Sequence, residues 1–177
     1  MPSSASLVRL AGSLAAAPLC CLMAATAIAA ESTDIRVDGQ VRQPLRLSRA
    51  EVAAMPAAHL GASTTTREVD GQVRSTTVRG VRLRALLEQA GLAEHDRFDW
   101  RKTVVVATAR DGYRVVFSWP EIFNTEGGAQ VLVVHERDGH ALGPADGPLA
   151  LVAAGDLRSG PRHVRGLERI EVRILRE

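Results

Sequence analysis

Four of the chain's Asp-Gly pairs, at 38–39, 70–71, 111–112 and 138–139, each stand next to apolar or β-branched runs. A two-residue reversal needs positive φ, which Gly and Asp tolerate, so these pairs mark tight turns between neighbouring strands. A chain punctuated in this way delivers its strands as hairpins. It does not read as regular strand–helix–strand units around a wholly parallel sheet.

The flanking runs agree. Ile35, Val37, Val41, Leu45 and Leu47 all fall at odd positions, a period of two. Ala62 to Val81 reads as two Thr- and Val-rich strands around Asp70-Gly71. Thr103–Thr108 is a β-branched run suited to a buried strand, and Asp111-Gly112 turns it into Tyr113–Ser118. Ala129–Glu136, His140–Leu142, Leu149–Ala153 and Leu167–Leu175 bring the count to roughly eight or nine strands.

Helical signals are fewer. Ser48 with Glu51 forms a capping box for a short helix that Met55-Pro56 ends. Leu83, Leu86, Leu87 and Ala90 recur at helical spacing, and Gly91 follows where a helix often needs positive φ. Pro120 can start a helical turn reaching Asn124. The expectation is an α+β fold: a mixed, mainly antiparallel sheet with two short helices, in one domain over residues 30–177.

Residues 1–29 read as a secretory signal peptide. Arg9 is their only charged side chain, an apolar run follows from Leu10, and Ala27-Ile28-Ala29 gives a small-x-small cleavage site. No Arg-Arg pair precedes the run, so export by the general route to a periplasm is expected, not twin-arginine export. The membrane is met only through this segment, before cleavage. Cys20 and Cys21 leave with it, and the mature chain then has no disulfide, thiol nucleophile or thiolate metal ligand. Losing Arg9 reduces Lys plus Arg from 22 to 21 against 20 acidic residues, a net charge of +1 that argues against nucleic acid as a partner.

Few motifs carry chemistry. There is no P-loop, dinucleotide fingerprint, nucleophile elbow or HExxH. His135 and His140 flank the Asp138-Gly139 turn, and a metal between them would need a third ligand such as Asp146. The simpler reading is one half-buried and one exposed histidine, and no metal site is expected. Arg158, Arg162, His163 and Arg165 cluster beside Gly160 and Pro161, a composition that suits a phosphate or other anion. An arginine-rich surface loop is the plainer alternative. Tyr113 is the aromatic that could add a ligand contact.

Three stretches carry a family resemblance. They are Val37 to Pro56; Gly80-Val81 leading into the Leu83–Ala90 helix and Gly91; and Ala109-Arg-Asp-Gly-Tyr113 onward through Gly139, Gly147-Pro-Leu149, Val164 and Ile170-Glu-Val172. In order and spacing the chain resembles the molybdopterin-binding oxidoreductase domain, the sulfite-oxidase fold, in a small periplasmic form. The resemblance implies a molybdenum centre that transfers an oxygen atom and two electrons. It implies one cysteine ligand shortly before the Gly-Val-x-Leu helix. That region here reads Ser63-Thr-Thr-Thr-Arg-Glu-Val69, and threonine is a poor replacement for a soft thiolate.

The expected function is accordingly a non-catalytic module with no resident cofactor. It would bind a small anionic ligand or a periplasmic protein partner. Arg158, Arg162, His163, Arg165 and Tyr113 are the expected binding residues, and no catalytic residue is assigned. The alternative is an active molybdopterin-dependent oxidoreductase whose metal is held without a protein thiolate.

Overall fold

In this computed structural model the residues described are 34–158 and 160–176. The expected signal peptide, residues 1–29, lies outside them. Among the described residues no helix is long and apolar enough to cross a membrane.

Among the described residues ten strands form two sheets. The first contains β1 (Ile35–Gly39), β2 (Leu45–Leu47), β5 (Thr103–Ala109), β6 (Arg114–Ser118) and β10 (Leu167–Ile174), in the order β2-β1-β10-β5-β6. The second contains β3 (Leu60–Val69), β4 (Gln72–Arg82), β7 (Val131–Arg137), β8 (His140–Ala141) and β9 (Ala150–Ala153). Its order is β3-β4-β7, with β8 and β9 sharing the far side of β7. All pairings are antiparallel except β1 with β10, which run parallel with Val37 opposite Ile170.

Two of the Asp-Gly pairs behave as the sequence implies, while Asp111-Gly112 lies in a four-residue connection from β5 to β6 in which only Gly112 has positive φ. Asp70 and Gly71 have φ of 54° and 73°, Asp138 and Gly139 of 51° and 79°, so two-residue turns close β3–β4 and β7–β8. Asp38-Gly39 instead ends β1. Gly39 has φ of 91°, and a Cβ there would lie 2.3 Å from the Val172 carbonyl oxygen, so only glycine lets β1 lie this close to β10.

The helices are α1 (Arg49–Ala53), α2 (Leu83–Ala90) and α3 (Trp119–Asn124). The capping box on α1 is present, with Ser48 and Glu51 bonding each other's backbone N–H. The turn expected after Pro120 is α3, a third helix, because Ser118 and Glu121 build a second capping box there. The apolar face of α2 buries Leu83, Leu86, Leu87 and Ala90 completely, and Gly91 ends the helix with φ of 64°. Those leucines join Val37, Phe117, Ile170 and Val172 of the first sheet and Val81, Val133 and Leu151 of the second in one continuous core.

The second sheet keeps a second apolar patch on its other face. Val78, Leu132 and Val134 are buried there, with Leu142 and Val152 packed against them. Both faces are used because apolar residues occupy even and odd positions alike on β7 and β4. The two strands also slip register between Arg79 and Gly80: Arg79 pairs with Glu136, and Gly80 with Val134, which puts Arg137 opposite Val78 on the face of Leu132 and Val134. His135 is the extra residue of this bulge. Gly80 is required beside it, since a Cβ would lie 2.2 Å from the Val133 carbonyl oxygen.

Candidate anion-binding cleft

A cleft of about 300 Å³ opens on that second patch. The β3–β4 hairpin contributes Ser63, Thr65, Arg74, Thr76 and Val78; β7 gives Arg137; the chain after β9 gives Ala154, His163 and Arg165. Alternation along the hairpin explains the selection. Ser63 pairs with Val78 and Thr65 with Thr76, so their side chains share one face. Thr64 and Thr66 point to the other face, where their hydroxyls contact those of Thr77 (2.9 Å) and Ser75 (3.1 Å).

Three guanidiniums line the cleft, and none of the residues lining it is acidic. One carboxylate stands behind them. Asp146, 6 % exposed, pairs with Arg137 Nη1 at 2.8 Å and Arg165 Nε at 3.5 Å, and His163 Nε2 is 3.8 Å away. Arg137 Nε is buried without a hydrogen-bond partner among the described residues. One negative charge therefore holds two guanidiniums and an imidazole in place, and a surplus of positive charge faces the cleft. Such a donor set suits a carboxylate, sulfate or phosphate group.

The five expected binding residues separate. His163 and Arg165 line the cleft. Arg162 lies in an adjoining recess of about 130 Å³ that shares Val152, His163 and Arg165 with it. Its guanidinium forks onto both oxygens of Asp156, reaches Glu121 Oε1 at 2.5 Å, and lies 4.7 Å over the Phe117 ring. Hydrogen bonding to Asp156, then to Glu121, holds its pKa above the ordinary arginine value. An incoming anion there would compete with two carboxylates. Tyr113 braces the basic loop: its hydroxyl donates to the Pro161 carbonyl at 2.5 Å. Arg158 is exposed and lines neither recess.

Arg74, Arg137 and the anchoring role of Asp146 escaped the sequence reading. Arg74 and Arg137 each sit next to or near an Asp-Gly turn, but only the β4–β7 pairing, with Arg137 opposite Val78, puts them on neighbouring strands. The histidine pair separates: His135 is buried, 8 % exposed, where half-buried was expected, and His140 is exposed as expected. Burial pushes the His135 imidazole below its ordinary pKa. No group of three metal-ligating side chains occurs among the described residues.

The stretch in which the resemblance places a metal-ligating cysteine does reach the cleft, through Ser63 and Thr65. Its donors there are neutral hydroxyls, and the only cysteines of the chain are Cys20 and Cys21. Hydroxyls do not replace the soft thiolate that such a centre takes from its protein. The cleft fits an oxyanion and does not fit molybdenum held by a protein sulfur.

Comparison with known proteins gives two findings. The family model described as "oxidoreductase molybdopterin binding domain" matches residues 23–175. Among solved structures, the fold is similar to the sulfane dehydrogenase SoxCD from Paracoccus pantotrophus, with a TM-score of 0.59 at 17 % identity over 78 % of this chain. The match spans 37 % of that protein's chain. No curated protein matches the sequence.

Proposed function

The chain belongs to the oxidoreductase molybdopterin-binding domain family, and from that membership we propose that it is a member without molybdenum chemistry. It is a periplasmic binding module whose cleft takes a small oxyanion, either free or displayed by a periplasmic protein partner. The observation that carries this reading is the cleft lined by Arg74, Arg137 and Arg165 with hydroxyls, not a thiolate, at Ser63 and Thr65.

In this reading Arg137 is the fixed contact, oriented by Asp146. Arg74 and Arg165 are the adaptable ones at the rim, and the Ser63, Thr65 and Thr76 hydroxyls fill remaining acceptor positions on the anion. The ligand would release water from the guanidiniums and undergo no bond making or breaking.

Thermal unfolding in inorganic phosphate tests it. A single site at a hundred times Kd stabilises by about 2.7 kcal/mol. Arg74→Ala removes an exposed cleft arginine and should reduce that gain while leaving the phosphate-free stability unchanged. The variant also controls for the general effect of phosphate on folding. An equal gain in both proteins would refute the site.

A second reading is favoured by the family match itself: an active molybdopterin-dependent oxidoreductase with its metal held without protein sulfur. Molybdenum and pterin content separates the two readings.

A further inference from the structure

β3 is ten residues long and forms an edge of the second sheet. The other outer strands, β2, β6, β8 and β9, have three, five, two and four residues. Short edges guard a protein against strand-to-strand association. β3 has no such guard. Leu60 to Thr66 contains neither charge nor proline, and β3 pairs with β4 over ten consecutive positions without a bulge.

The direction of its free backbone groups follows from β4. The Thr77 carbonyl accepts from Asp138 N–H at 2.8 Å, and Thr77 N–H donates to Asp138 Oδ1 at 2.7 Å. Both groups of Thr77 thus point away from β3. Thr77 lies opposite Thr64, so this is a non-hydrogen-bonded pair of the ladder. The close hydroxyl contacts at Thr64–Thr77 and Thr66–Ser75 are what such pairs give. Thr64 N–H and C=O therefore point out of the sheet, and by alternation so do those of Ala62 and Thr66. Among the described residues no backbone group reaches them from outside.

We propose that this edge self-associates: a second copy of the chain adds its own β3, antiparallel, about a two-fold axis at Thr64. The register places Thr64 against the partner's Thr64, Ala62 against the partner's Thr66, and Ser63 against the partner's Thr65. Every central pair is small or hydroxyl-bearing, the same chemistry that joins β3 to β4, and no like charges meet. A foreign strand would have to supply that match, whereas an identical copy brings it by symmetry. Ser63 and Thr65 keep their bonds to β4 and still face the cleft. An axis normal to the sheet sets both clefts on one face of a continuous sheet. The inference stands whether or not the cleft binds an anion.

Sedimentation velocity of the processed chain should show a mass that doubles with concentration. Thr64→Pro removes an outward N–H and keeps the backbone hydrogen bonds of the β3–β4 ladder, losing only the exposed Thr64–Thr77 hydroxyl contact, at a position where an edge strand tolerates proline. It should abolish the doubling and leave the thermal midpoint of the monomer nearly unchanged. If that variant fails to fold, Thr64→Lys makes the same test, because two ammonium groups would meet at the axis. Hydrogen exchange should slow at Ala62, Thr64 and Thr66 in step with dimer formation, while Ser63 and Thr65 are protected at every concentration. A monomer at all concentrations overturns the proposal. So does a dimer whose Ala62, Thr64 and Thr66 amides exchange as fast as in the monomer, or a heterologous strand bound at β3 of a chain that stays monomeric.

Discussion

Asp146→Asn should move stability and ligand affinity in opposite directions. The carboxylate is 6 % exposed and meets Arg137 Nη1 at 2.8 Å. A hydrogen bond to a charged group is worth about 1.5–3 kcal/mol net. The second partner, Arg165, is 3.5 Å away and 66 % exposed, so it adds only about 0–1 kcal/mol. Asparagine keeps the shape and one acceptor, which places the expected loss near 2 kcal/mol. For a domain of ~150 residues that is roughly 4–8 °C in the unfolding midpoint, measured by calorimetry. The same change removes the one negative charge behind the cleft guanidiniums. A unit charge at this range contributes about 1 kcal/mol, so phosphate should bind about five-fold more tightly, with a steeper salt dependence. Titration calorimetry at two ionic strengths reads both effects. If affinity falls together with stability, Asp146 is not a holder of the arginines but part of a differently charged site, and the electrostatic account of the cleft is wrong.

Gly80→Ala should cost about 3 kcal/mol in chemical denaturation, because its Cβ would lie 2.2 Å from the Val133 carbonyl oxygen in a bulge that cannot shift without breaking β4–β7 pairing. Tyr113→Phe should lower stability by about 1 kcal/mol and weaken phosphate binding by freeing the loop that carries His163 and Arg165, a split that unfolding and titration measure separately. Asp99 provides the pH test. Backbone N–H groups of His95, then of Asp96, hold its carboxyl below the usual 3.8. A depressed folded pKa means that its stabilising effect is complete above 3.8 and fades as pH falls through the folded value. Acid titration of stability should therefore show a fall below that point which is shallower in Asp99→Asn, where Glu51 and Glu171 alone remain of the lowered carboxylates among the described residues.

How much of this was legible in the sequence depends on separation along the chain. Turns and caps are local, so Asp70-Gly71, Asp138-Gly139, the Ser48–Glu51 box and Gly91 could be placed from neighbouring residues alone. The two-residue period likewise marked Ile35, Val37, Ile170 and Val172 as one buried face. Nothing local indicates that β1 pairs parallel with β10, because Val37 and Ile170 meet only after the whole chain has folded between them. The His135 bulge is also silent, since one extra residue brings Arg137 in place of Glu136 to the face of Leu132 and Val134 without changing composition.

The site divided in the same way. His163 and Arg165 stood out as a cluster on adjacent positions. Arg74 and Arg137 looked like ordinary turn-flanking arginines, and their convergence required the β4–β7 register. Arg162 had the right charge for an anion, yet Asp156 and Glu121 engage its guanidinium from two sides. Unlike Arg74, it cannot be read as a ligand contact from charge alone.

Molybdenum and pterin quantification on protein purified from its native cell envelope tests the central claim most directly. The account predicts that neither is present in stoichiometric amount, because the cleft offers hydroxyls at Ser63 and Thr65 and no thiolate. One molybdenum and one pterin per chain would contradict it and establish the oxidoreductase reading in its place.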